Sequence, residues 1–170
     1  MQYPLPEKIG DPDLFVGRAQ EFKLLNHWLA NIPKRAAKSR AILARRKSGK
    51  TCLVQRIFNR LWSENGQVIP FYFSFEENKI WFPDLALDYY RAFATQYLSF
   101  VERDEKLASK RLTVAQLRDY AKAKNQPLLL EDLDSLRQDK ESGFHNSMWK
   151  TACSAPHRFA VHLDLRWLVI

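Results

Sequence analysis

The sequence predicts an α/β fold with a mainly parallel sheet, because short apolar runs alternate with segments of helical periodicity. The apolar run at residues 40–44 predicts a strand, and a stripe of helical spacing begins after it at Lys50. Residues 68–75 are aromatic and β-branched and predict a second strand, although Pro70 removes one backbone donor. A long helix is then expected from Asp84, so the chain begins as strand, loop, helix, strand and helix.

The other elements follow from spacing, capping and turn residues. Residues 21–29 predict a short amphipathic helix, which ends before Pro33 because proline cannot donate to the helical ladder. Thr113 predicts another helix start, since Gln116 three residues later completes a capping box. Residues 131–143 are acidic and polar, and they predict a loop or a frayed helix.

The chain has 170 residues, about the length of one domain. Residues 1–14 contain three prolines and little apolar periodicity, so they predict an irregular lead-in. Residues 15–170 are then expected to form one partial domain. The apolar run at residues 166–170 predicts its last strand.

The positive charge of the chain is concentrated in one window. The formal net charge is +8, yet residues 34–60 alone hold ten lysines and arginines and no acid, so the rest of the chain sums to −2. A single basic centre indicates one anionic partner site rather than a surface that coats nucleic acid.

Composition also excludes some classes of protein. Two cysteines, Cys52 and Cys153, are too few for a disulfide framework and suit a reducing compartment. No apolar run approaches the ~20 residues that span a bilayer, and the first residues lack the basic start and apolar stretch of a signal peptide. We therefore expect a cytoplasmic protein that does not contact membranes.

A candidate phosphate loop lies between the first predicted strand and the following helix. Its residues are Ala44, Arg45, Arg46, Lys47, Ser48, Gly49, Lys50 and Thr51, with Cys52 directly after them. This is the Walker A pattern with alanine in place of the first glycine. Gly49 permits the backbone to curl around a phosphate, Lys50 reaches the outer phosphates of ATP, and the Thr51 hydroxyl can bind Mg²⁺. The start of the helix adds its positive end to the site.

A second motif precedes the loop at residues 15–18, with the sequence Phe-Val-Gly-Arg, and Glu21 follows it. Together with the Arg-Arg-x-Gly-Lys-Thr loop, this resembles the AAA-type and STAND ATPases. The resemblance implies a P-loop NTPase fold of three layers, α/β/α, that binds ATP with Mg²⁺. It also implies that Val16, Gly17 and Arg18 lie near the adenine, and that the protein self-associates or assembles with a partner protein.

Hydrolysis in such ATPases needs acidic residues at the end of a hydrophobic strand. One candidate pair is Glu131 and Asp132, but the apolar run before them is short and opens at Pro127. Residues 167–170 predict a better strand, which stops where the acids should come. We favour this second interpretation, in which the chain is truncated near its Walker B strand and does not turn over ATP at a useful rate.

Two other functions remain open at the level of sequence. The first is a non-catalytic nucleic-acid-binding domain that uses the basic residues 34–60 on a phosphate backbone. The second is a helical interaction module with no ligand. The charge map disfavours the first, because most of the cations lie around one loop.

Overall fold

The computed structural model describes residues 1–75 and 80–170. In the described part of the chain the α-helices are α1 (Ala19–Leu29), α2 (Lys50–Glu64), α3 (Phe82–Glu102), α4 (Glu105–Ala108), α5 (Val114–Ala123), α6 (Pro127–Glu141) and α7 (His145–His162). The strands are β1 (Val68–Phe71) and β2 (Arg166–Val169), and a 3-10 turn (Pro12–Leu14) precedes α1. None of the helices among these residues is long and apolar enough to cross a membrane.

The predicted three-layer α/β/α fold with a mainly parallel sheet is wrong. The described residues are 58% helical, and they form a sheet of only two strands, β1 and β2, which pair in parallel. The strand predicted at residues 40–44 does not form; this segment is irregular and exposed, with Leu43 91% accessible to solvent. Its few apolar residues pair with no strand in the described chain, and an unpaired extended segment gains no ladder hydrogen bonds.

The two strands place apolar side chains on both faces of the sheet, because successive residues of a strand point to opposite sides. Ile69 and Phe71 belong to a large cluster built mainly from α3, α6 and α7. Val68 and Leu168 belong to a smaller cluster with α1 and α2. The helix that follows the candidate loop is therefore anchored on one face of the sheet.

Long helix α3 packs against α7, and its aromatic residues form the centre of the larger cluster. The Phe93 ring contacts Phe71 and Phe159 edge-on, with centroids 5.5 and 5.1 Å away. It also contacts the Trp167 ring, 4.9 Å away. Tyr90 and Phe93 of α3 are fully buried and therefore belong to the core.

The edge of β1 that faces away from β2 is closed. Ile170 donates to the Phe71 carbonyl at 2.7 Å and accepts from the Phe73 amide at 2.9 Å, so odd-numbered residues of this segment bond β2. Pro70 therefore needs no amide proton for the ladder. Tyr72 exchanges two hydrogen bonds of 2.9 Å with the side-chain amide of Gln96 on α3. Proline and a bidentate side chain together leave no room for a third strand on this side.

The N-terminal residues are docked on α2, although the sequence predicts only an irregular lead-in. Asn59, which is fully buried, bonds both the amide and the carbonyl of Leu5 at 2.9 Å. Glu7 accepts two hydrogen bonds from Arg56, and its side chain is fully buried. These contacts hold the irregular segment to the helix that begins at the candidate loop.

Capping and turn residues explain several helix ends. The predicted capping box at Thr113 and Gln116 is formed at the start of α5. Residues predicted to be a loop or frayed helix, 131–143, mostly continue α6, which begins at Pro127 as its first residue. The helix is fixed by tertiary contacts that its polar sequence does not reveal, above all those of Asp132.

Asp132 joins α6 to α3 and α7. Its carboxylate accepts from Arg158 Nη2 at 2.8 Å and from the Tyr90 hydroxyl at 2.9 Å, and Arg158 Nη1 donates to its other oxygen. Burial raises the pKa of Tyr90 well above its ordinary value, so the hydroxyl stays a donor. These hydrogen bonds offset the cost of burying the carboxylate. Without it, the Arg158 guanidinium and the Tyr90 hydroxyl would lose their acceptor.

We therefore expect Asp132→Ala to lower the free energy of unfolding by about 3 kcal/mol, at the lower end for a buried pair because Arg158 is partly exposed. The matched control is Glu131→Ala, an exposed residue of the same helix, which should change stability by about 0.5 kcal/mol or less. Urea unfolding followed by circular dichroism measures both. Equal losses in the two variants would contradict the structural role of Asp132.

Candidate phosphate-binding loop

The candidate phosphate loop, residues 44–51, lies directly before and at the start of α2. It leaves the irregular segment 36–45, turns at Arg46 and Lys47, and enters the helix at Lys50. The side chains of Ala44 to Lys47 are exposed, so the loop faces solvent. The helix context predicted from the sequence is present after the loop, whereas the strand predicted before it is not.

Two residues of the loop adopt left-handed backbone conformations. Gly49, the residue before α2, has φ of 80°, and Lys47 has φ of 63°. An L side chain at such a φ is strained, which explains why a glycine stands at the helix start. No side chain caps this helix end, so its first amide groups are not used by a capping residue.

The Lys50 side chain folds back over the loop. Its ammonium donates to the carbonyl of Ala44 at 2.6 Å and to the carbonyl of Arg45 at 2.9 Å. In the described residues no carboxylate forms an ion pair with Lys50. A charge held only by neutral carbonyls remains available to an anion, since a charged partner binds more strongly than a carbonyl.

Arg18 connects the upstream motif to the loop. Its Nη2 group donates to the carbonyl of Ser48, and its Nη1 group pairs with Glu21 at 2.6 Å. The hydrogen bond from Arg18 lowers the pKa of Glu21, which keeps that carboxylate charged. The two sequence motifs, separated by about 30 positions, are therefore brought into contact.

The other predicted site residues differ in their exposure to solvent. Val16 is 82% exposed and Gly17 is exposed, so the segment predicted to lie near adenine is open to solvent. Thr51 and Cys52 are half-buried in the first turn of α2, and Cys52 is a free thiol. Ser48 has a buried hydroxyl oxygen that makes no hydrogen bond within the described residues.

The acidic pair at Glu131 and Asp132 does not join the loop. Both residues lie in α6 rather than after a strand, Glu131 is exposed, and Asp132 is held by Arg158 and Tyr90. The alternative strand is formed by β2, which contains no acidic residue. Neither candidate supplies a carboxylate to Lys50 or Thr51 through a hydrogen bond or ion pair within the described residues.

The basic window is partly neutralised by the rest of the protein. Arg56 pairs with buried Glu7 at 2.7 Å, and Arg60 pairs with Glu64 at 3.3 Å. Arg35 lies 3.6 Å from Asp164. Three cations of the window, Arg35, Arg56 and Arg60, thus have carboxylate partners within the described residues.

The sequence patterns do not reveal that Arg18 pairs with Glu21 and bonds the Ser48 carbonyl of the loop. They also do not reveal the edge closure by Gln96 or the ion pair of Asp132. The sequence signal for the roles of Gln96 and Asp132 is a polar residue within an apolar helical stripe. That pattern does not identify the partner.

A test of the loop geometry uses its glycine. Gly49→Ala should lower the free energy of unfolding by about 1–2 kcal/mol, because alanine is strained at positive φ. Space does not limit the substitution, since the nearest atom to an added Cβ is Arg18 Nη2 at 3.9 Å. Gly66→Ala is the control: it has open space and no positive φ, so urea unfolding should show no loss of stability. Equal losses at both positions would contradict the assigned backbone conformation.

No family model matches the chain, and neither the curated proteins nor the solved structures contain a significant match.

Proposed function

We propose that residues 44–51 bind the phosphates of a nucleoside triphosphate, ATP, together with Mg²⁺. The observation that carries this proposal is the contact between the two motifs: Arg18 bonds the carbonyl of Ser48 while the Lys50 ammonium lies against the carbonyls of Ala44 and Arg45. A loop with this composition and two cations gathered at a helix start suits a polyanion.

Binding requires a change of partner for Lys50. Its ammonium has two carbonyl partners within the described residues, and a phosphate oxygen placed at the loop gives it a charged one. The amide groups at the start of α2 and the positive end of the helix add further favourable interactions with the anion. The buried Ser48 hydroxyl, which has no partner within the described residues, is another donor near the same loop.

The residues present fit Mg²⁺ only in part. Thr51 in the first turn of α2 is the candidate protein ligand, and the described residues hold no group of three or more metal-binding side chains. Mg²⁺ commonly keeps several waters and uses few protein ligands when it is bound with phosphates. When bound, the ion neutralises charge on the phosphates, and Thr51 would hold it through its hydroxyl oxygen.

Membership of the AAA/STAND ATPases is part of the proposal and rests on the two motifs. The support is local: the upstream arginine contacts the loop, and a helix begins at Lys50. We extend the proposal to nucleotide binding and not to hydrolysis. A cytoplasmic location is proposed from the low cysteine content, and assembly with other copies or a partner protein is proposed from the family resemblance.

Lys50→Ala should weaken Mg-ATP binding more than tenfold, because a charge-assisted hydrogen bond is worth about 1.5–3 kcal/mol. Lys38→Ala is the matched control: it removes the same charge from the basic window but lies outside the loop. Isothermal titration calorimetry of the wild-type protein and both variants makes the comparison. Unchanged affinity in a folded Lys50→Ala variant would refute the proposed site.

Salt dependence separates nucleotide binding from the alternative of nucleic-acid binding. Binding to a nucleic acid backbone through many of residues 34–60 should weaken steeply with salt, and Lys38→Ala and Lys50→Ala should then reduce affinity for duplex DNA similarly. Fluorescence titrations with DNA at two salt concentrations measure this. Tight, salt-sensitive DNA binding without Lys50-dependent ATP binding would favour the alternative.

We also expect no ATP hydrolysis by the loop. Any phosphate that the wild-type chain releases from ATP should be released equally by Lys50→Ala. Phosphoryl transfer to water requires a group that orients the water, and no carboxylate in the described residues bonds Lys50 or Thr51. Phosphate release is compared between the wild-type protein and Lys50→Ala. Turnover lost in both Lys50→Ala and Glu131→Gln would show that Glu131 serves the loop after all.

A further inference from the structure

The two edges of the sheet differ in how their backbone groups are satisfied. On the outer edge of β1, Pro70 has no amide proton and Tyr72 is bonded by Gln96. The outer edge of β2 has no partner strand in the described residues. Proteins commonly block sheet edges that are not meant to pair. Here one edge is blocked and the other is open.

Hydrogen bonding identifies the residues of β2 that face the open edge. Ile170 directs both its amide and its carbonyl toward β1. In a parallel pair, alternate residues of a strand bond the same neighbour, so Leu168 also faces β1. Trp167 and Val169 therefore direct their amide and carbonyl groups away from β1. These groups can bond a further extended chain.

An apolar groove of about 290 Å³ runs along this edge. Leu25 and Trp28 of α1 and Val54 and Ile57 of α2 line it, and the end of β2 forms one wall. Arg40 and Ile42 of the irregular segment also line it. An extended chain bound there could place the apolar side chains of one of its faces in the groove. Its backbone could bond β2 at the same time. Both requirements of strand addition are thus met in one place.

Charge further specifies the occupant. Arg40 is the cation of the groove lining, and its guanidinium lies 5.9 Å from the centre of the Trp28 ring. No carboxylate forms an ion pair with Arg40 in the described residues, and residues 34–60 contain no acid. An acidic side chain on the bound chain would therefore find an unpaired cation at the groove.

We propose that the open edge of β2 is a docking site for an extended, apolar peptide segment of a partner protein that carries an acidic residue beside Arg40. The segment adds a third strand through the backbone groups of Trp167 and Val169. Apolar side chains on one of its faces fill the groove against α1 and α2. This inference does not depend on nucleotide binding, and its test is made without nucleotide.

The probe is a fluorescein-labelled nine-residue peptide of alternating valine and threonine with aspartate at both ends. Fluorescence anisotropy measures its affinity for the full chain. We expect Val169→Pro, which removes an outward-facing amide proton, to bind about tenfold more weakly than Val169→Ala, which keeps it. Proline is tolerated at an edge position whose amide is not in the ladder, and circular dichroism checks that both variants are folded.

Two further measurements apply to the unaltered backbone of the protein. Two further peptides carry methyl groups on alternate backbone nitrogens, one at the odd-numbered and one at the even-numbered positions. Only one of the two should lose binding, because only alternate amides of the added strand bond β2. Arg40→Glu should weaken binding of the aspartate peptide and strengthen binding of the same peptide with lysine at its ends. Both results are expected if the peptide adds to β2 beside Arg40.

The proposal is overturned if millimolar peptide fails to bind the folded wild-type protein, or if both methylated peptides bind as well as the parent. Equal affinities for folded Val169→Pro and Val169→Ala would also overturn it. Light scattering provides the remaining outcome: a dimer of the wild-type chain that Val169→Pro dissociates would assign the edge to a second copy instead of a partner peptide.

Discussion

Parallel pairing of β1 with β2 places apolar side chains on both faces of a narrow sheet, and the positions of the helices depend on it. Ile69 and Phe71 anchor α3 and α7 on one face, while Val68 and Leu168 anchor α1 and α2 on the other. Because α2 is fixed by this pairing, so is its first turn. The candidate phosphate loop is thus positioned by a hydrophobic contact of α2 with the sheet, even though the side chains of Ala44 to Lys47 are exposed.

The chemistry of the loop depends on how neighbouring charges are distributed. Glu7 lies against Arg56 at the buried side of α2, whereas Lys50 at the start of the same helix has only carbonyl partners among the described residues. Arg18 holds the loop through Ser48 and is itself oriented by Glu21. The cations with carboxylate partners contribute to structure, whereas the ammonium of Lys50 is the group that the proposed function assigns to the phosphates.

Local patterns in the sequence predicted local structure well. The capping box at Thr113 and the strand at residues 166–170 are essentially where their residue types place them. The strand predicted at residues 40–44 does not form, because strand formation depends on a partner strand that the local composition does not reveal. The helical state of Glu131 and Asp132 was missed for a related reason, since Arg158 and Tyr90 come from distant parts of the chain and satisfy the carboxylate.

The order of synthesis gives the closed edge of β1 a further consequence. Val68 pairs with Arg166, so the segment of β1 leaves the ribosome long before its partner strand β2 is made. Gln96 is synthesised well before Arg166, and its side-chain amide can bond the backbone of Tyr72 as soon as α3 forms. One side of the nascent strand is then protected from wrong pairing during translation. The other side stays available until the last described residues have been added.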